Sequence, residues 1–160
     1  MSATEEYLAG NARFAERFRP PPAGPVRAAI VACMDARLNV YAALGLAEGD
    51  AHVLRNAGGQ VTADVIRSLA ISQRLLGTRE IMLIHHTECG MLTCTDKRFI
   101  DEIHKESGET PSWAPGFFTD LTGDVRRSMD LIRGSPFIPH KDSVRGFIYD
   151  VATGRLAEVT

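Results

Sequence analysis

The sequence predicts an α/β fold: a mainly parallel central sheet flanked by helices, with an antiparallel edge strand at the C-terminus and an N-terminal helical arm. Three observations predict it. Short apolar runs read as buried strands at Arg27–Ala32, Ala51–Arg55 and Glu80–His85. Segments of helical periodicity lie between and after them. The chain closes on two short strand-like runs joined by a turn, Gly146–Val151 and Thr153–Leu156.

Taken in order, Thr4–Phe18 is an amphipathic helix with Tyr7, Asn11, Phe14 and Phe18 at helical spacing. Glu5 and Glu6 stand near its positive end, where acidic side chains are favoured. The run Arg19-Pro20-Pro21-Pro22 stops it, and a Pro/Gly linker continues to Pro25. An aromatic-faced helix beyond a stiff linker needs a surface to lie on, either a partner subunit or its own core. The first strand ends at Cys33. The second leads into the turn-like Asn56-Ala57-Gly58-Gly59. Thr62 then caps a helix that runs through Leu76, with Val65, Ile66, Leu69 and Leu76 on one side and Gly77 as the stop. The third strand delivers His86 to Cys89 just past its end. Two further helices follow, from about Thr95 to Lys105 and from about Leu121 to Ile132.

The 160 residues suit one domain, 1–160, in which 1–25 form the arm and linker. A formal net charge of -2 gives no reason to expect nucleic acid or an anionic membrane surface as partner. The acidic start MSATEEYLAG lacks the apolar core of a secretory signal, and no apolar run approaches a membrane span. A cytoplasmic location is the expectation. The three cysteines, Cys33, Cys89 and Cys94, are too few and odd in number for a disulfide framework.

Cys33, His86 and Cys89 are the residues that point to chemistry. Zinc takes thiolate sulfur and imidazole nitrogen readily, and a catalytic zinc usually has three protein ligands and one open position. Ligands of open α/β sheets gather beyond the carboxyl ends of the strands, so adjacent parallel strands would bring all three donors to one edge. Buried cysteine that merely packs is the bland reading of Cys33. Asp35 and Arg37 alternate with Cys33 and would share its side if the segment is extended. A guanidinium beside a carboxylate keeps it ionised and orients it. Alone, such a pair is a surface ion pair worth roughly 0–1 kcal/mol; beside a candidate zinc thiolate, a functional role is favoured. Gly58 and Gly59 could bring backbone N–H groups close to a small substrate; a plain turn is the alternative. Cys94 reads as packing, with a fourth ligand that closes the site as the minor alternative. His52, His85, His104 and His140 are spare histidines, structural or solvated.

Cys33-Met34-Asp35-Ala36-Arg37, Arg55-Asn56-Ala57-Gly58-Gly59 and His86-Thr87-Glu88-Cys89-Gly90 resemble the signature blocks of the beta-class carbonic anhydrases. The ending from Arg145 through Gly154 is similar to the C-terminal strand of the short bacterial members. The resemblance implies zinc held by Cys33, His86 and Cys89, with Asp35 and Arg37 as a catalytic pair. It implies reversible hydration of carbon dioxide to bicarbonate and a proton by attack of zinc-bound hydroxide. It also implies a homodimer, or a higher homo-oligomer, whose N-terminal helices embrace the partner. In some members the Asp itself ligates zinc and abandons its Arg, and Asp35 could do the same. The family usually has Ser where this chain has Ala36. Three rivals stand beside this reading: hydrolysis of carbonyl sulfide or carbon disulfide on the same fold, a non-catalytic zinc- or bicarbonate-binding module, and a redox-active thiol protein, which the absence of Cys-x-x-Cys disfavours.

Overall fold

A computed structural model describes residues 2–21 and 24–160; Pro22 and Ala23, within the expected linker, lie outside the described residues. Helix α1 (Ala3–Arg17) opens on a capping box in which Ser2 accepts from the Glu5 amide and the Glu5 carboxylate accepts from the Ser2 amide. The core begins at β1 (Ala28–Cys33), followed by the short helix α2 (Val40–Leu44) and β2 (Ala51–Asn56). Helix α3 (Ala63–Leu76) is capped by Thr62 and ends on Gly77 in the left-handed conformation, as the sequence predicts. Strand β3 (Glu80–His86), helices α4 (Asp96–Ser107) and α5 (Leu121–Gly134), and strands β4 (Val144–Tyr149) and β5 (Leu156–Val159) complete the chain.

Five strands form one sheet in the order β2-β1-β3-β4-β5, parallel except for the final β4–β5 pair. The C-terminal hairpin differs in register from the sequence reading. Its first strand begins at Val144, and Asp150–Thr153 form the turn: Asp150 Oδ1 accepts from the amides of Ala152 and Thr153. The returning strand therefore begins at Leu156. Helix α2 was not visible in the sequence, because five residues give too little periodicity to read.

Odd-numbered residues of β1 and β3, including Ala29, Val31, Ile81 and Leu83, pack under α3 and α5 against Val65, Leu69, Val125 and Ile132. Even-numbered Ile30, Ala32 and Ile84 face the other way, against Leu38 and Val40. Strand β1 is thus buried on both faces, which explains its unbroken apolar run. No described helix is long and apolar enough to cross a membrane.

Candidate metal centre

Strand β1 sits between β2 and β3, so Cys33 finishes next to Asn56 on one side and near the end of β3 on the other. The candidate donors of Cys33, His86 and Cys89 lie within 4.8 Å of one another, and all three residues are buried. The two sulfurs are 3.9 Å apart. Two thiolates on one tetrahedral ion with metal–sulfur bonds of about 2.3 Å would stand about 3.8 Å apart. His86 Nδ1 lies 2.8 Å from the Thr87 carbonyl oxygen, which can only accept, so Nδ1 carries the proton. In the neutral ring that leaves Nε2 with a free lone pair, buried without a hydrogen-bond partner; the Cys33 sulfur beside it raises the imidazole above its ordinary value. An orphaned imidazole nitrogen beside two close sulfurs is a donor set that could hold a metal ion. Cys94 stands outside the cluster, its thiol turned to the Thr95 carbonyl at 3.5 Å, so a fourth cysteine does not close the site.

Without an ion the two thiols share their acidity unequally. The hydrogen bond from Cys89 draws the Cys33 thiol down to about 4, while the same bond and burial push Cys89 up. Metal-stripped protein is therefore expected to carry one thiolate per chain at neutral pH. Its ultraviolet thiolate absorbance should already be present below neutral pH and be absent there from Cys33→Ser. A thiolate signal emerging only above pH 8 would contradict this sharing.

Asp35 and Arg37 meet, but not because the segment is extended. The chain turns after β1: the Leu38 amide donates to the Asp35 carbonyl at 3.0 Å, and the Arg37 amide donates to Asp35 Oδ1 at 2.9 Å. This side-chain turn folds the guanidinium back onto its own carboxylate. Arg37 Nε reaches Oδ1 at 3.0 Å and Nη2 reaches Oδ2 at 2.9 Å, a bidentate pair. These bonds hold the Asp35 carboxyl well below the usual carboxylate range. Oδ2 is also 3.7 Å from His86 Nε2, so the carboxylate borders the cluster while remaining paired with its Arg. Ala36 is exposed, and no bond of this pair uses its side chain.

Two contributors to this corner went unassigned in the sequence. Arg55, part of the quoted block, donates to the carbonyls of Cys33 at 3.0 Å and Asp35 at 2.7 Å, so it braces the turn from β2. Glu88 has φ 56°, unusual for a residue other than glycine. Its carboxylate and carbonyl accept from Arg37 at 3.0 and 3.1 Å. Its place between two donors was the available signal.

Gly58 and Gly59 are buried, with φ of 74° and 69°. A Cβ on Gly59 would lie 3.0 Å from the Cys33 nitrogen and 3.2 Å from the His85 ring. Glycine is required there both for the left-handed backbone and for the close approach. Gly59→Ala should lose about 3 kcal/mol of stability from strain and overpacking combined. Urea unfolding checks this, and a change under 1 kcal/mol would mean that the loop relaxes freely.

His85 is buried and stacks on Phe118 at 5.8 Å, with Asp124 beside it, and burial holds its imidazole below the ordinary value. His52 bonds Ser72 at 2.8 Å and His104 bonds Thr110 at 3.2 Å, both away from the cluster. A cavity of about 1070 Å³ opens at the opposite, amino end of the strands, between the proline linker and Ile30, Met82 and Phe147; no candidate donor lines it.

A three-donor cluster that could hold a metal ion, with a paired carboxylate at its border, thus stands at the carboxyl edge of a parallel sheet, where enzymes of this class of fold place their sites. Comparison with known proteins agrees. Residues 28–117 match the carbonic anhydrase family model. Beta-carbonic anhydrase 1 of Mycobacterium tuberculosis is 57% identical over 162 residues, covering 100% of this chain and 99% of that protein. A crystal structure of carbonic anhydrase from Streptococcus mutans superposes with a TM-score of 0.91 at 44% identity, covering 100% of this chain and 99% of that one. A carbon disulfide hydrolase of Acidithiobacillus thiooxidans is 33% identical, covering 95% of this chain and 86% of that protein. The chain belongs to the beta-carbonic anhydrase family.

Proposed function

We propose that this chain catalyses the reversible hydration of carbon dioxide to bicarbonate and a proton, with zinc held by Cys33, His86 and Cys89. The observation that carries the reading is the bare His86 Nε2 beside two sulfurs at tetrahedral spacing, bordered by a carboxylate that its Arg holds ionised. Bound zinc would supply a Lewis acid that lowers the pKa of water at the open position. The remaining work falls to the chain. Asp35 accepts a hydrogen bond from the attacking water and so aims its lone pair outward. Oδ2 has one lone-pair direction free for this, since Arg37 takes only one of its two. Arg37 keeps the carboxylate anionic and turned to the cluster, and Glu88 holds Arg37 from behind. The backbone at Gly58 and Gly59 borders the substrate. Two thiolate ligands offset the formal charge of zinc, so the rate is expected to rise above neutral pH.

Stopped-flow hydration of carbon dioxide on zinc-verified protein tests this. Fast turnover, increasing from pH 7 to 9, is expected. Bound zinc without turnover would shift the reading to carbon disulfide or carbonyl sulfide, the second reading favoured by the 33% identical hydrolase.

The reading extends to a homodimer formed by one unit spanning 1–160. Helix α1 has no buried residue, and Tyr7, Leu8, Phe14 and Phe18 are all exposed. Apolar side chains in such a row are stabilised when a partner covers them. A Tyr7→Glu, Phe14→Glu double variant should halve the mass in light scattering while keeping its zinc. An unchanged mass would assign the interface elsewhere. Reduced cysteines as ligands suit a reducing compartment, which supports the cytoplasm.

A further inference from the structure

Asp124 is 1% exposed, yet capping its helix does not account for it. The cap of α5 is Asp120, whose carboxylate accepts from the Gly123 amide at 3.0 Å. The partners of Asp124 come mostly from elsewhere. Arg127, one turn along, reaches Oδ1 from the solvent side. Gln60 Nε2 donates to Oδ2 at 2.7 Å across 64 residues of sequence. His85 Nδ1 lies 3.4 Å from the same oxygen, because residue 85 shares the α5 face of β3 with Ile81 and Leu83. The other ring nitrogen of His85 is 3.3 Å from the Gly59 carbonyl. The Gly59 contact has hydrogen-bond geometry and the Asp124 contact does not, so the neutral ring donates from Nε2 to Gly59 and only packs beside the carboxylate.

Gln60 and Gly59 end the loop that begins at Asn56, and Asn56 Nδ2 closes that loop onto the Gln60 carbonyl at 2.9 Å. The far end of the Gln60 side chain rests against Gly116, where a Cβ would come within 3.3 Å of Oε1. Gly59 in turn lies so close to β1 that a methyl there would touch the Cys33 nitrogen. One buried carboxylate on α5 thus ties down, through Gln60 and with His85 packed beside it, a loop whose own residues approach the metal cluster. A buried carboxylate is costly unless its acceptors are filled, so losing the donors or the acceptor releases the whole arrangement.

We propose that Asp124 is a positioning residue for the reaction: acting from α5 through its hydrogen bond from Gln60, it sets how deeply the Asn56–Gln60 loop sits against the end of β1. This rests on the reading above in which the backbone of that loop borders the substrate. Neither Asp124 nor Gln60 supplies a metal donor, so the effect is on geometry and not on metal content.

The test compares zinc-loaded Asp124→Leu, Asp124→Asn and Gln60→Met with the parent protein. Three quantities are read: zinc per chain, kcat and KM for carbon dioxide hydration, and amide hydrogen exchange of residues 57–60 against that of α5. Leucine keeps the branched outline, with somewhat more bulk, and removes the acceptor; asparagine keeps an acceptor for Gln60. Asp124→Leu and Gln60→Met should retain zinc, lose about tenfold in kcat/KM, and exchange the 57–60 amides about tenfold faster while the α5 amides stay as in the parent. Asp124→Asn should restore most of both. Gln60 is a half-buried loop residue, so its variant carries the test if Asp124→Leu does not fold. A folded Gln60→Met or Asp124→Leu with parental kcat/KM and parental loop exchange would overturn the proposal. So would faster exchange in α5 alone, which is the mark of a purely structural role. An inactive parent enzyme would sink the carbon dioxide reading instead, and the loop exchange would then decide the brace by itself.

Discussion

Cys33→Ser is expected to abolish zinc binding and, with it, carbon dioxide hydration, by at least about a thousandfold. A serine hydroxyl keeps the shape of the position but does not ionise, and only the thiolate is a strong ligand. The loss should be complete because two donors cannot hold the ion against water, Cys94 faces the Thr95 carbonyl, and Arg37 holds Asp35 in its own pair. His86→Ala and Cys89→Ser should behave alike, while Cys94→Ser keeps full zinc and full activity. Metal analysis and stopped-flow rates on the same samples check all four. If Cys94→Ser also lost its zinc, the site would be four-coordinate, and a binding module would become the better reading. The parent protein treated with a strong chelator should match Cys33→Ser and recover when zinc is restored.

Asp35→Asn should leave zinc in place and lower kcat/KM about a hundredfold. The substitution is nearly isosteric, so the turn at residues 35–38 can survive on its backbone bond between Leu38 and Asp35. The negative charge goes, and with it the bidentate pairing with Arg37 and the acceptor that faces His86. The pH dependence follows from the sign of the shift. The folded-state pKa of Asp35 is depressed by Arg37, so the carboxylate stays ionised as pH falls and protonates only well below its unfolded value. Its contribution is in place above the ordinary carboxylate range and is lost only as pH drops through the depressed value. The fall in rate below neutral pH therefore reports the metal centre, and Asp35→Asn should lower the whole profile without moving its midpoint. A midpoint shifted by the variant would mean that Asp35 itself titrates in the working range. Arg37→Ala provides the complement. It frees Asp35 to swing toward the ion, so it should cost activity while zinc stays bound.

Much of this chain was legible residue by residue. Thr62 and Gly77 marked the ends of α3, and the apolar runs before Cys33 and His86 marked two buried strands, because caps and periodicity are local properties. The donor types at Cys33, His86 and Cys89 were equally plain, since ligand chemistry belongs to the side chain. Other features depend on contacts between distant segments, which no local pattern records. The β2-β1-β3 order brings Cys33 beside His86; the same strands in another order would have separated them. The extended path expected for Asp35 and Arg37 gave way to a turn, because the Asp35 carboxylate can satisfy the Arg37 amide two residues on and Arg55 from β2 then holds both carbonyls. Asp124 had no signature at all. An acidic residue on an amphipathic helix looks solvated until the packing of α5 on β3 places it above His85 and within reach of Gln60. Local chemistry sets which groups could bind a metal and which segments carry them. Which of those groups meet depends on strand pairing and helix packing, because these join residues that are far apart along the chain.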